Sequence, residues 1–166
     1  AEGTLFYRDH MVDVLDLPGI YSLTTVSEEE LISRSYIIKQ NPDYVINVVD
    51  STNLERSLIF TLQLLELERP VIIALNMTDL AKRKGITIDA KKLQKILNVP
   101  VIPTIASRGS GLTKLVDKAI DLKTGKPERT IHKYGKEIEH GIEELSDLLK
   151  GIDLPYPLRW IAIKLL

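Results

Sequence analysis

The chain reads as an α/β protein whose mostly parallel sheet carries helices on both faces. Three observations lead there. Apolar, β-branched runs of strand length alternate with segments of helical periodicity. Each run ends in a cluster more polar than its body, as strands do when their carboxyl ends face a ligand. The central run, Val71-Ile72-Ile73-Ala74-Leu75, is apolar without alternation, the pattern of a strand buried on both faces.

The 166 residues suffice for one ordinary core with at most a small appendage. With 44% hydrophobic and 27% charged residues and a formal net charge of -1, the chain lacks the basic excess of a nucleic-acid binder. It has no cysteine, which excludes disulfides, thiolate metal sites and a cysteine nucleophile. No apolar run approaches a membrane span and no signal peptide opens the sequence, so a soluble chain is expected.

Taken in order, an alternating segment around Leu5 and Tyr7 and a second run from Met11 to Leu17, separated by Arg8-Asp9-His10, predict a β-hairpin. The second strand leads into Asp16-Leu17-Pro18-Gly19, a D-x-x-G arrangement. An acid at a strand tip can hold a water of a Mg²⁺ ion, and a glycine lets the backbone N–H come close to a phosphate. The same residues also make an ordinary Pro-Gly turn. Tyr21 to Thr25 is a hydroxyl-rich loop, and Ser27-Glu28-Glu29-Glu30 is a capping box for a helix carrying Leu31, Ile37 and Ile38, stopped by Asn41-Pro42.

Tyr44 to Val49 predicts a buried strand ending in Asp50, after which Thr52-x-x-Glu55 caps a helix whose Leu54, Leu58, Leu62 and Leu65 face the sheet. The central strand then ends in Asn76-Met77-Thr78-Asp79. A carboxylate there can accept two hydrogen bonds from a guanine edge, which offers a ring N–H beside an exocyclic amine. Adenine offers no such pair. Asn76 would tie neighbouring loops together and contact the other edge of the base, and Met77 would lie against the purine face. Taken alone, these residues read better as a polar turn after a buried strand. Lys82-Arg83-Lys84-Gly85 reads as a solvated helix end.

Asp89 caps a helix with Leu93, Ile96 and Leu97, and Val99 to Ala106 is expected as the last strand. Ser107-Arg108-Gly109-Ser110-Gly111 is a small-residue turn whose N–H groups could point at a ligand carbonyl, or simply a glycine-rich turn, before a helix with Leu112, Leu115, Val116 and Ile120. One domain is expected to cover 1–122, a polar linker 123–132, and a small helical segment 133–166. In the last, Ile138, Ile142, Leu145 and Leu149 mark one helix and Leu158, Ile161, Ala162 and Leu165 a second, with Trp160 in packing. His10, His132 and His140 show no metal-ligand spacing.

D-x-x-G, N-x-x-D and a small-residue turn, in this order and all at strand ends, resemble a GTPase domain of the P-loop class. Asp16-Leu17-Pro18-Gly19-Ile20-Tyr21-Ser22-Leu23, Val48-Val49-Asp50-Ser51-Thr52-Asn53-Leu54-Glu55-Arg56 and Ala74-Leu75-Asn76-Met77-Thr78-Asp79 are similar to the cytoplasmic G domain of the ferrous-iron transporter B family. Tyr156 to Leu166 is similar to the end of that family's helical domain, which is thought to restrain GDP release. The likeness covers nearly the whole chain.

The resemblance implies GTP or GDP and Mg²⁺ as cofactors. Asp16 would meet the metal through water and Gly19 the γ-phosphate. Asn76, Met77 and Asp79 would read the base, and the backbone of Ala106, Ser107 and Arg108 would meet guanine O6. Met77 stands where most GTPases have lysine. No residue is assigned as catalytic, because Ile20 occupies the position where many GTPases orient water with glutamine. The motif G-x-x-x-x-G-K-[ST] does not occur in these residues, nor does the threonine of the first switch; in the family both would precede Ala1. The strand before that loop would lie between the strand ending at Asp16 and the strand Tyr44 to Val49, so these two are not expected to pair.

The expected function is a slowly hydrolysing, guanine-nucleotide-binding regulatory domain at the cytoplasmic face of the membrane, controlling the membrane-embedded transporter portion of the same protein. Nucleic acid is no partner, and a homo-oligomer is compatible. The alternatives are a nucleotide-independent interaction fragment and a stand-alone assembly GTPase. A nicotinamide dehydrogenase is disfavoured because no glycine fingerprint follows a strand.

Overall fold

The computed structural model describes residues 1–20, 28–124 and 133–166. The hydroxyl-rich loop with Tyr21, the Ser27 capping box, His132 and most of the expected linker lie outside the described residues.

The chain opens with a hairpin of β1 (Glu2–Tyr7) and β2 (His10–Leu15), antiparallel and paired from Glu2 with Leu15 to Tyr7 with His10. Its two-residue turn places Arg8 and Asp9 at φ 44° and 61°, the positive-φ pair that suits the twist of a tight hairpin. The Tyr7 hydroxyl donates to Asp117 Oδ1 at 2.8 Å and Arg8 pairs with the same oxygen at 2.9 Å, fastening the hairpin to a later helix.

There follow α1 (Glu28–Lys39), β3 (Val45–Asp50), α2 (Leu54–Glu66), β4 (Val71–Asn76), α3 (Thr78–Arg83), α4 (Ala90–Leu97), β5 (Val101–Pro103) and α5 (Leu112–Thr124). Strands β3, β4 and β5 form a parallel sheet in that order. No ladder joins it to the hairpin, so β2 and β3 stay unpaired with each other as expected.

β4 is the middle strand and is buried on both faces. Ile73 and Leu75 join the core beneath α2 and α4 with Val49, Leu64, Leu65, Leu93 and Leu97, while Ile72 and Ala74 pack under Leu115 of α5. Each fully buried aliphatic side chain contributes about 1.5–3 kcal/mol, so β4 is a rigid base for whatever its carboxyl end carries.

Three local expectations are corrected. β3, an edge strand of the sheet, is buried on one face only: Val49 is inaccessible, but Ile46 and Val48 are 41% and 65% exposed. Helix α2 begins after Asn53 with no side-chain cap; the Thr52 backbone N–H instead donates to Asp50 Oδ1 at 2.7 Å, which turns the chain at the strand end. β5 has three residues rather than the longer run from Val99, flanked by Pro100, which has no N–H, and ending at Pro103. The Asp89 cap does form, its Oδ1 accepting from the Lys92 N–H at 2.9 Å.

The tail folds as α6 (Lys136–Leu148) and α7 (Leu158–Leu165). Trp160 is buried in the same core as the sheet and stacks on Tyr156 with ring centroids 4.6 Å apart, so its role is packing. Arg159 grips Glu139 with both arms, at 2.8 and 2.7 Å, and Glu139 also accepts from the Tyr134 N–H at 2.7 Å. That grip holds the Glu139 carboxyl far below its ordinary range, at about 2. The Tyr134 hydroxyl donates to Glu66 at the end of α2, and burial together with that bond raises its pKa. Among the described residues no helix is long and apolar enough to cross a membrane.

Candidate functional site

At the carboxyl end of β4 the chain must turn at once into α3, and Met77 makes the turn in the left-handed region, at φ 60° and ψ 30°. Such a conformation costs a non-glycine residue about 1–3 kcal/mol and persists where its surroundings over-determine it. Here they do. The Met77 carbonyl accepts from the N–H groups of Leu80 and Ala81, both at 3.0 Å, starting the helix that carries Asp79.

Asn76 links three strand ends. Its carbonyl accepts from the Ser51 N–H at 3.0 Å and from the Ser51 hydroxyl, which ties it to the end of β3. Its side-chain Oδ1 accepts from the Ala106 N–H at 3.0 Å and the Thr104 hydroxyl at 3.3 Å, which ties it to the segment after β5. Thr78 adds a hydroxyl bond to the Thr104 carbonyl at 3.2 Å. The loop-tying part of the Asn76 expectation is thus visible in the hydrogen bonds. With Oδ1 engaged, the side-chain amide remains as the donor for a ligand.

After β5 the chain forms a short 3₁₀ turn, Ala106–Arg108, closed by the Ile105–Ser110 bridge. Gly111 is indispensable to this closure: it sits at φ +84°, and a Cβ there would lie 2.3 Å from the Pro103 carbonyl oxygen.

These segments enclose an open cavity of about 480 Å³, lined by Asn76, Met77, Asp79, Ala106, Ser107 and Arg108 together with Leu80, Arg83 and Ile105. All six residues that the sequence places at the base-reading position therefore share one concavity. Asp16 and Gly19 do not line it. Asp16 lies at the end of the hairpin, its side chain 82% exposed and its backbone N–H bonded to the Ala1 carbonyl at 2.7 Å.

Arg83 and the apolar pair Leu80 and Ile105 escaped the sequence reading. Arg83 reads as part of a solvated basic run, yet its Nη2 lies 3.1 Å from Asp79 Oδ2. The available signal was the spacing, since an aspartate four residues before an arginine pairs across one helical turn.

The cavity suits a flat, partly apolar ring. Asp79, whose side chain is 22% exposed, offers a half-desolvated acceptor pair. Met77 and Ile105 offer apolar contact; in the turn after β5 the Ala106 and Arg108 N–H groups are engaged by Asn76 Oδ1 and the Ile105 carbonyl, which leaves the Ser107 N–H as the backbone donor. The chemistry of this set fits a guanine edge. Mg²⁺ takes oxygen ligands, keeps several waters, and is held by one or two carboxylates plus substrate phosphates. Asp16 offers one exposed carboxylate at the end of the hairpin; among the described residues no three His, Cys, Asp or Glu groups converge into a self-sufficient metal site.

Residues 1–119 match the family model described as ferrous iron transport protein B, and residues 134–166 match that of the FeoB cytosolic helical domain. A curated relative from Porphyromonas gingivalis, a fusion of Fe(2+) transport protein A and the Fe(2+) transporter FeoB, is 44% identical over 99% of this chain. The chain spans 20% of that relative's length and 22% of the Escherichia coli Fe(2+) transporter FeoB, to which it is 40% identical. Among solved structures, the cytosolic domain of T. maritima FeoB in its GMPPNP form superposes with a TM-score of 0.90 at 38% identity, over 98% of this chain and 65% of that one. The FeoB G domain of Methanococcus jannaschii is 49% identical, with a TM-score of 0.70, over 74% of this chain and 78% of that one.

Proposed function

This chain belongs to the ferrous iron transport protein B family, and from that premise we propose that it binds guanine nucleotides through the cavity at the carboxyl end of β4 and hydrolyses GTP slowly. One observation carries the proposal. Asn76, Met77 and Asp79 line a single cavity with Ala106, Ser107 and Arg108, and the Asn76 side chain bonds the two segments together. A base entering there meets the Asp79 carboxylate on one side and backbone N–H groups on the other. Asp79 accepts from the ring N–H and exocyclic amine of guanine, and the turn at Ala106, Ser107 and Arg108 donates to O6 through the Ser107 N–H, since the Ala106 and Arg108 N–H groups are engaged by Asn76 Oδ1 and the Ile105 carbonyl.

Asp16 would hold Mg²⁺ through water and the Gly19 backbone N–H would serve the γ-phosphate. When bound, the ion neutralises phosphate charge. Turnover is slow because Ile20, which packs against the core beside Leu17, has no polar atom with which to orient a nucleophile. The family matches at 1–119 and 134–166 support a division into a nucleotide-binding domain over 1–122, a linker over 123–132 and a helical segment over 133–166. The nucleotide state would regulate ferrous-iron passage through a membrane-embedded portion of the same protein, with this chain at the cytoplasmic face.

The test is equilibrium competition. Fluorescent GDP bound to the full-length gene product should be displaced by GDP and GTP at concentrations at least two decades below those of ADP and ATP. Equal displacement by adenine nucleotides would refute the reading.

A further inference from the structure

Asp79 is met from two directions. Arg83, one turn along the same helix, brings Nη2 to 3.1 Å from Oδ2, and Arg108, from the turn after β5, brings its Nη2 to 3.8 Å from the same oxygen. The distances separate their roles. At 3.1 Å the Arg83 contact is a hydrogen bond with a direction; at 3.8 Å Arg108 contributes charge without fixing an angle.

The direction matters because α3 is six residues long and Asp79 lies in its first turn. An aspartate there can rotate about its side-chain bonds, and a guanine edge needs both carboxylate oxygens in the plane of the ring. A guanidinium donating from the next turn removes that freedom and occupies one lone pair of Oδ2. The other lone pair of Oδ2 and both of Oδ1 remain to accept from a base. Arg83 is itself 66% exposed, so the pair adds little to the stability of the fold. Its consequence lies in the geometry of the acceptor.

We infer that Arg83 is a specificity-determining positioning residue: its hydrogen bond to Asp79 Oδ2 fixes the carboxylate plane that receives the two N–H donors of guanine. This inference rests on the guanine-binding reading of the same cavity. Arg83 touches no part of the base; it acts through Asp79.

Inosine nucleotides keep the ring N–H and lack the exocyclic amine, so the preference for GDP over IDP reports whether the second hydrogen bond is made. Dissociation constants for both are measured on the full-length gene product by displacement of fluorescent GDP, for the parent protein, Arg83→Gln and Arg83→Lys. Arg83→Gln should lower the GDP-over-IDP preference roughly three- to tenfold, with an unchanged thermal midpoint, the size expected for groups in direct contact. Arg83→Lys should keep more of the preference than Arg83→Gln. If Arg83→Gln weakens GDP and IDP by the same factor, or leaves both unchanged, Arg83 has no positioning role and the inference is overturned. If the parent protein itself fails to prefer GDP over ADP, the guanine-binding reading falls, and this inference with it.

Discussion

Replacing Asp79 by asparagine changes one charge and almost no volume, and its consequences can be worked out from the contacts of that side chain. In the folded protein the loss is small. The carboxylate pairs with Arg83 and Arg108, whose side chains are 66% and 68% exposed, and such pairs contribute at most about 1 kcal/mol each. Binding is another matter. Two charge-assisted hydrogen bonds from guanine would become one weakened bond and one donor facing a donor, a loss of about 2–3 kcal/mol, or roughly 30- to 140-fold in affinity. Xanthine carries a carbonyl in place of the exocyclic amine, and the new amide can donate to it. Asp79→Asn in the full-length gene product should therefore weaken GDP by that factor and strengthen XDP, both read by displacement of a fluorescent nucleotide, with little change in the thermal midpoint. An unchanged ratio of GDP to XDP affinity would refute the assignment of Asp79 to the base.

Asn76→Ala removes the acceptor for the Ala106 N–H and the Thr104 hydroxyl, which should lower stability by about 1–2 kcal/mol and speed hydrogen exchange at the Ala106 amide; unaltered exchange there would show that the tie does not hold the turn. Glu139, held at about 2 against an ordinary 4.5 by Arg159, contributes stability that is present above about pH 5 and lost as pH falls toward 2. Denaturant unfolding should accordingly lose about 1–2 kcal/mol of pH-dependent stability over that window, and Glu139→Gln should remove this component; an identical pH profile in the variant would contradict it. Turnover of GTP by the full-length gene product without a partner should be on the order of 10⁻² s⁻¹ or slower. Ile20→Ala should cost about 1–3 kcal/mol of stability through lost packing and leave the rate per folded molecule unchanged; abolished hydrolysis with intact affinity would give Ile20 a catalytic role that its chemistry does not suggest.

Much of this architecture was legible because the strongest signals are local. β4 announces itself by an uninterrupted apolar run, and its carboxyl end by the switch to Asn76-Met77-Thr78-Asp79. The exposure of Ile46 and Val48 was not legible, since a strand's apolar residues say nothing about whether a neighbour covers each face. Thr52 and Asn53 are both residue types that cap helices, yet neither side chain caps α2: the chain turns through the Thr52 N–H bond to Asp50 Oδ1, and the helix starts after Asn53. β5 is short because the chain leaves β4 right after the Thr104 N–H has bonded the Leu75 carbonyl, and the following segment bonds to the Asn76 side chain instead. Arg83 was hidden in a basic run whose average reading is solvent, although its distance from Asp79 along the helix was in plain view.

A crystal structure of the full-length gene product with GDP locates the base directly. It should show the guanine ring N–H and exocyclic amine at about 2.7–3.0 Å from the two Asp79 oxygens, O6 facing the Ser107 backbone N–H in the turn Ala106–Arg108, and Arg83 still bonded to Oδ2. A base bound elsewhere, with Asp79 left facing Arg83 and Arg108 alone, would contradict the guanine-binding reading.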